Sequence, residues 1–224
     1  MTSILASLVT AALEAGLPDG CLITDVGSVK RVPHRRITPL LAGRDIRFIG
    51  SHPMAGSEKT GVAAARADLF DCAVCVTTPT WRTKPAALRQ VEQFWKAIGC
   101  HLLRLSPEKH DQLVSRSSHL PQLIAALLAH GILDPRSPRE QAMLCAGGFR
   151  DTTRIASGSP EMWRDIALAN RVQLGRALGQ FIRELKGVQS LLRRGDVAKI
   201  HQLLTTAKVR RDAWLAGCVS PSPE

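Results

Sequence analysis

The pattern of apolar residues changes at Ser106, and this change limits the possible folds more than any other feature. Before it, the short apolar runs CLITDV, IRFIG, CAVCVTT and HLLRL predict strands, and residues 3–15 and 84–98 have helical patterns. Short β-branched runs separated by helical segments are typical of an α/β layer. After Ser106 only helical patterns follow. We therefore predict an α/β domain over 1–105 and an all-α helical domain over 106–224.

Two strong helix starts mark the second half. Ser106 with Pro107, and Ser159 with Pro160, each place a capping hydroxyl before a proline at the first helical position. The second helix is predicted to run to Arg194, a length of about 50 Å. Apolar residues spaced three and four apart form a seam along it: Leu174, Leu178, Phe181, Leu185, Val188 and Leu192. Such a seam must pack against other helices, so we expect a homodimer.

The charge and the composition exclude some classes of protein. A formal net charge of +11 suggests nucleic-acid binding, but aromatic residues make up 4% and tyrosine is absent, so stacking platforms are missing. Two interpretations of the positive charge remain: a solvated basic surface, and attraction of a small anionic substrate. The apolar run near the start is too short to span a membrane and lacks the basic residues of a secretory signal, which predicts a cytoplasmic protein without membrane or nucleic-acid partners.

The cysteines predict neither a disulfide framework nor a metal site. The six cysteines are scattered along the chain. Cys72 and Cys75 form a CxxC, but the run CAVCVTT predicts a strand, in which residues three apart face opposite sides. No second pair of ligands follows, so we expect core roles and no metal.

Two stretches place polar residues directly after predicted strands. Ser28 and Lys30 follow LITDV, and ligands bind at the carboxyl ends of strands in open α/β sheets. A turn with a capping serine and a surface lysine is the structural alternative. His52 follows IRFIG, and its small neighbours leave room for a ligand, although a single histidine is often structural.

Two further stretches carry polar groups in the helical half. In GGFRDTTRIASGSPEMWRD, Arg150, Asp151 and Arg154 are at helical spacing. The acidic and basic residues there can pair with each other, and a remaining guanidinium can bind a carboxylate in bidentate fashion. His119 lies in the apolar segment SSHLPQL, where a hydrogen-bonded core histidine is the default interpretation.

Taken together, TDVGSVK, GSHPMAGSEKTG, AARADLF, SSHLPQL and GGFRDTTRIASGSPEMWRDI resemble the prephenate dehydrogenase family, which includes arogenate and cyclohexadienyl dehydrogenases. The motifs occur in order from about residue 20 to 215. The resemblance implies a partial Rossmann-type sheet followed by a helical dimerisation domain. It also implies oxidative decarboxylation of prephenate or arogenate, with hydride transfer to NAD or NADP, in tyrosine biosynthesis.

The resemblance also implies roles for individual residues. His52 matches the catalytic histidine that bonds the ring hydroxyl of the substrate, and Ser28 matches the serine that bonds this histidine. Substrate-binding positions are matched by Arg154, which grips a carboxylate, and by Lys30, His119 and Trp163. Val26 and Gly27 match positions near the nicotinamide. We expect His52 to be neutral, with a pKa near the ordinary value of about 6.5.

The resemblance also defines a departure from the family. Members begin with a strand and a GxGxxG turn that binds the pyrophosphate, and none of the 17 glycines forms that pattern. By the family's proportions, roughly 90 residues are absent. A misplaced start or truncation, a degenerate remnant, and a missing half supplied by a separate chain are the three explanations. A catalytically inactive dimeric remnant is therefore the alternative to an active dehydrogenase.

Overall fold

The computed structural model describes residues 4–56, 61 and 65–219, with side chains described up to residue 217. Parts of two motifs, SEKT at 57–60 and the first alanine of AARADLF, lie outside the described residues, as does the start of the helix predicted at 3–15. The chain divides into two compact units, one ending at Gly175 and one beginning at Arg176.

The four predicted strands form one mixed sheet in chain order. Strand β1 spans Leu22–Thr24, β2 Arg47–Pro53, β3 Val74–Thr78 and β4 His101–Arg104. Strands β1 and β2 are parallel, β2 and β3 antiparallel, and β3 and β4 parallel. A partial Rossmann-like sheet followed by helices is the predicted fold class, which is confirmed.

Helices cover the sheet because each presents an apolar face to it. Helix α1 spans Leu5–Glu14, α2 Arg31–Leu40 and α3 Pro85–Ala97. The α1 and α2 helices bury Val9 and Ile37 in one apolar cluster, and α3 buries Val91 and Trp95 in another, which includes Ile49 of β2. Burying such side chains contributes about 1.5–3 kcal/mol each relative to exposure. The sheet is thereby fixed as a platform for the residues at its strand ends.

The helical half begins at the predicted cap. Helix α4 spans Pro107–Val114, and the Ser106 hydroxyl accepts the Lys109 N–H at 3.1 Å. The helices that follow are a π-helical turn Ser115–His119, α5 Leu120–Ile132, α6 Arg139–Met143, α7 Gly147–Thr153, a 3₁₀ turn Arg154–Ser157, α8 Pro160–Ala169, α9 Arg171–Arg194 and α10 Val197–Val219. Within the described residues, no helix is long and apolar enough to cross a membrane.

The single long helix predicted from Ser159 to Arg194 is wrong. The chain leaves helical geometry at Asn170, between α8 and α9. Asn170 is buried, and its side-chain amide donates to the Asp111 carbonyl at 2.8 Å. This tertiary bond outweighs the local preference for a continuous helix. The predicted stop is confirmed, because Gly195 has a positive φ of 61° directly after α9.

The CxxC cysteines do not share one strand. The run CAVCVTT was predicted to be a strand throughout, but β3 begins only at Val74, so Cys72 lies in the preceding turn with a φ of 58°. Cys75 is fully buried in the sheet, and burial raises the pKa of its thiol to about 12. Cys75 packs in the apolar cluster beneath α3, and a thiol with a raised pKa stays protonated at neutral pH.

Candidate active site

Cavities of 330 Å³ and 580 Å³ have the size expected for a small ligand, and several predicted residues line the one of 580 Å³. The larger cavity, which we call the main cavity, has a volume of 580 Å³. Its lining includes four predicted site residues, Ser28, His52, Arg154 and Trp163, and also Ser118 and Gln122. The main cavity is therefore lined both by residues at the ends of strands and by residues of α5, the 3₁₀ turn and α8.

His52 lies on β2, where the strand runs from partly exposed to buried residues. It is paired with Val76 of β3 and is 8% exposed. The sheet therefore fixes its backbone, and only a small part of the ring reaches the main cavity. Ser28, in the loop after β1, lines the same cavity. The predicted bond between Ser28 and His52 is not among the contacts of the described residues, and it stays a prediction.

The His52 ring is held by a second buried histidine. Its Nδ1 lies 2.9 Å from Nε2 of His110, and the two rings are edge to face with centroids 5.1 Å apart. Nδ1 of His110 lies 2.8 Å from the Asp111 carboxylate. Both α4 residues are completely or almost completely buried. A chain of hydrogen bonds therefore runs from the cavity wall to a buried carboxylate.

The Asp111 carboxylate also caps the N-terminus of helix α2. Oδ1 accepts the backbone N–H of Lys30 at 2.8 Å, and Oδ2 accepts the backbone N–H of Arg31 at 3.0 Å. The first N–H groups of a helix need acceptors, and an anion is favoured at this positive end of the helix dipole. Asp111 thus joins α4 to α2 across 80 residues of sequence while it orients His110.

The electrostatic environment keeps His52 neutral. Burial, followed in size by the effects of His110, Lys30 and His119, lowers the pKa of His52 to about 3. The expected neutral form agrees with this value, but the expected pKa near 6.5 is wrong. Desolvation disfavours the charged imidazolium, and the nearby Lys30 ammonium disfavours it as well.

Lys30 does not lie in the main cavity. Its side chain is fully buried and its Nζ lies 2.6 Å from Oδ2 of Asp25. Asp25 in turn accepts the backbone N–H groups of Gly27 and Ser51, both at 3.1 Å. The structure gives Lys30 a role beneath the strand ends, and substrate contact by Lys30 stays a prediction.

His119 borders a second, more apolar cavity of 330 Å³. The Asn170 amide lies 3.2 Å from its Nδ1, and its Nε2 is buried without a hydrogen-bond partner among the described residues. Burial lowers the pKa of His119 to about 4. Trp163 lies beside it, with ring centroids 6.1 Å apart, and borders both cavities.

The open side of the main cavity is made by local segments. Arg154 begins the 3₁₀ turn, and its side chain is exposed. Trp163 of α8 packs so closely on Gly158 that a Cβ there would lie 2.7 Å from the indole Nε1. A glycine at this position therefore lets the indole reach the cavity.

Sequence reasoning missed His110 and Asp111. The segment SPEKHDQLV indicated only a helix start, although two adjacent titratable residues on an amphipathic helix were a usable signal. His110, Asp111 and Val114 share the buried face of α4, whereas Glu108, Lys109 and Gln112 are exposed. A polar pair on the core-facing side of a helix requires partners, which is the clue that periodicity could have supplied.

Two family models match the chain. Residues 5–104 match the nucleotide-binding domain of prephenate dehydrogenase, and residues 106–206 match its dimerisation domain. The chain is 39% identical to the prephenate dehydrogenase of Bacillus subtilis over 89% of this chain and 54% of that protein. It is 33% identical to the cyclohexadienyl dehydrogenase of Zymomonas mobilis over 84% of this chain and 64% of that protein. It thus spans about half to two thirds of the length of these relatives.

Solved structures agree with the sequence matches. The prephenate dehydrogenase of Aquifex aeolicus, solved in complex with hydroxyphenyl propionate and NAD+, superposes with a TM-score of 0.87 at 30% identity, covering 95% of this chain and 73% of that one. The arogenate dehydrogenase of Synechocystis gives 0.80 at 28% identity, covering 96% and 76%. The chain belongs to the prephenate dehydrogenase family.

Proposed function

We propose that this chain carries the substrate site of a dehydrogenase that oxidatively decarboxylates prephenate or arogenate, with hydride transfer to NAD or NADP, in tyrosine biosynthesis. One observation carries the proposal. A neutral histidine, His52, reaches a cavity that also contains Arg154, a cation suited to a carboxylate. Family membership supplies the reaction class, and the cavity supplies residues that fit its proton and charge requirements.

The chemistry assigned to His52 is proton acceptance. Nδ1 is engaged by His110, so Nε2 is the ring nitrogen left to face a substrate. As hydride leaves the carbon that carries the ring hydroxyl, the hydroxyl proton passes to Nε2 and the ring becomes a dienone. Loss of carbon dioxide then gives a phenolate, which takes the proton back from Nε2 to form the phenol. A base that is neutral throughout the physiological range is ready for this step, and such proton transfer typically contributes 10²–10⁴-fold to the rate.

Substrate orientation is assigned to Arg154 and Trp163. A guanidinium forms two parallel bonds with a carboxylate, which fixes direction as well as position. The indole supplies an apolar wall for a six-membered ring. Holding the ring in one orientation converts binding energy into reactivity at the correct carbon. The formal net charge of +11 would assist the capture of a dicarboxylate.

The cofactor contacts proposed for this chain are few. A bound nicotinamide dinucleotide would supply the hydride acceptor. Val26 is 59% exposed in the loop after β1, two residues before the cavity residue Ser28. An exposed apolar side chain there fits contact with a nicotinamide ring. Gly27 has a structural reason to lack a side chain, since a Cβ would lie 2.9 Å from Oδ2 of Asp25. These residues fit the nicotinamide end of the cofactor.

A homodimer is proposed from the helices of the second unit. Large apolar side chains are exposed along α9 and α10, including Leu185, Leu192, Leu204 and Trp214. Exposed apolar rows on helices favour association with a second copy. The match to the dimerisation domain over 106–206 supports the same assembly.

The test is a nicotinamide absorbance assay on the purified chain with prephenate and arogenate, each with NAD and NADP. Reduction with at least one pair, lost in His52→Asn and kept in the exposed control His101→Gln, is the expected result. A folded protein that reduces neither cofactor with either substrate contradicts the proposed activity of this chain and favours the inactive dimeric remnant.

A further inference from the structure

Two buried groups are left without a role in the proposed reaction. His110 is 0% exposed and Asp111 is 1% exposed, and neither lines the main cavity. Capping of α2 accounts for the backbone bonds of Asp111, but it does not account for a histidine placed between this carboxylate and His52. The arrangement His52–His110–Asp111 is therefore more specific than packing requires.

The positions of the protons follow from the donors and acceptors. Oδ1 of Asp111 receives the Lys30 N–H and faces Nδ1 of His110, so Nδ1 must be the donor to an acceptor oxygen. A neutral His110 then has a lone pair on Nε2. That lone pair lies 2.9 Å from Nδ1 of His52, which must therefore carry the hydrogen. The unprotonated nitrogen of His52 is consequently Nε2.

We propose that His110 and Asp111 are positioning residues that hold His52 in the tautomer with its proton on Nδ1. This inference rests on the proposed function for its catalytic consequence. The Nε2 lone pair is thereby available to the substrate hydroxyl before the substrate binds. In the opposite tautomer, Nε2–H would face the hydroxyl oxygen, and His52 could donate a proton but not accept one. The pair acts through His52 and does not touch the reacting atoms.

The groups around His52 do not favour its protonation, so the main effect of His110 and Asp111 is on the orientation of the His52 ring. His110, Lys30 and His119 are the titratable groups that act on His52, and all of them disfavour its protonation. The Lys30 ammonium is already paired with Asp25, and the ring of His110 separates His52 from Asp111. The carboxylate thus selects a tautomer through His110 and makes no direct contact with His52.

Matched substitutions at His110 separate orientation from packing. In His110→Gln the side-chain carbonyl can still accept the Nδ1–H of His52, whereas His110→Leu fills a similar volume without an acceptor. We expect kcat to fall less than about 10-fold in His110→Gln and about 100-fold or more in His110→Leu, with KM nearly unchanged in both. Equal losses in the two variants, or a loss confined to KM, would overturn the inference.

A second measurement does not depend on turnover. Nitrogen-15 NMR of the imidazole groups, in the full chain without substrate, reports which ring nitrogen of each histidine is protonated, and the His52→Asn spectrum assigns the His52 signals. We expect Nδ1–H at His52 in the wild type and in His110→Gln, and a mixture of tautomers in His110→Leu. The same change at another buried histidine, His34→Gln, is the matched control and leaves His52 unaltered.

The two measurements distinguish failure of the inference from failure of the proposed function. A wild-type His52 protonated on Nε2 refutes the inference even if the chain is an active dehydrogenase. An inactive chain with the expected tautomers supports the positioning role and refutes the proposed activity alone. A thermal melt of each variant identifies His110→Leu if it fails to fold, and the His110→Gln and wild-type spectra then decide the outcome.

Discussion

The two ends of the main cavity are built differently. At the buried end, His52 is fixed by a sheet and by hydrogen bonds to residues far away in sequence, 58 residues for His110. At the open end, Arg154, Gly158 and Trp163 come from one short stretch of turn and helix. Both ends contain polar groups that the proposed reaction uses. Among the residues that the structure describes, only those at the first end enclose it.

This difference separates preorganised chemistry from recognition. Around His52, buried polar groups satisfy one another, so the ring has one orientation and a pKa shifted far from its ordinary value. Around Arg154 the side chain is exposed, so solvent weakens its electrostatic effects. We therefore expect substitutions at the buried end to affect stability and turnover, and substitutions at the open end to affect substrate affinity.

The largest expected effect is the loss of the buried ion pair beneath the strand ends. Lys30→Met removes the partner of Asp25, whose Oδ2 lies 2.6 Å from the ammonium. Breaking such a pair leaves an uncompensated buried charge and typically costs 3–5 kcal/mol. Urea denaturation measures the free energy of unfolding. The exposed pair Arg136–Asp134 is the control, since solvent screens this pair and Arg136→Met should destabilise the protein far less than Lys30→Met. Equal losses of unfolding free energy in Lys30→Met and Arg136→Met would show that the buried pair contributes no more to stability than the exposed pair.

The next effect is on turnover. His52→Asn removes the proton acceptor but leaves the open end intact, so we expect kcat to fall about 10²–10⁴-fold while substrate binding stays similar. Steady-state kinetics with the substrate and cofactor pair that the wild type uses provide the test. Turnover within twofold of the wild type would remove His52 from the mechanism.

The open end is tested by Arg154→Gln. Loss of a bidentate carboxylate contact should raise KM about 10–100-fold and change kcat little. Arg154→Lys keeps the charge but loses the bidentate geometry, and an intermediate value is expected. An unaltered KM in both variants would show that another residue holds the carboxylate.

The smallest effect is a pH dependence of stability. The folded pKa values of His52, about 3, and of His119, about 4, lie below the ordinary value of 6.5, so the unfolded chain binds more protons between these limits. The free energy of unfolding therefore rises as the pH increases through this window. The contribution of these two histidines to stability is lost as the pH falls through it. His52→Asn should reduce the slope by at most about 1.4 kcal/mol per pH unit. Denaturation curves at a series of pH values measure it, and an unchanged slope would show that His52 is not the source.

The sequence predicted local features better than long-range contacts. The four strands, the Ser106 cap and the stop at Gly195 depend on local patterns that hydrophobic periodicity and capping rules describe. Ser28, His52, Arg154 and Trp163 line one cavity, and the roles that the family resemblance implies for them stay predictions. These features are readable because each depends on neighbours in sequence or on a known motif.

Long-range polar contacts explain what the sequence did not reveal. The helix break at Asn170 depends on a bond to the Asp111 carbonyl 59 residues away, and the burial of Lys30 depends on a pairing with Asp25 that a turn pattern does not imply. We expected the ordinary pKa for His52 because a sequence does not show how far a side chain is removed from water. Tertiary burial therefore decided each of these outcomes.

The most direct test of this account is the charge state of His52 as a function of pH. NMR of the imidazole groups of the intact chain, with His52→Asn for assignment, follows each of the seven histidines. We predict that His52 stays neutral from about pH 8 down to about pH 5. Protonation of His52 within this range would contradict the account, because the buried end would then be open to solvent.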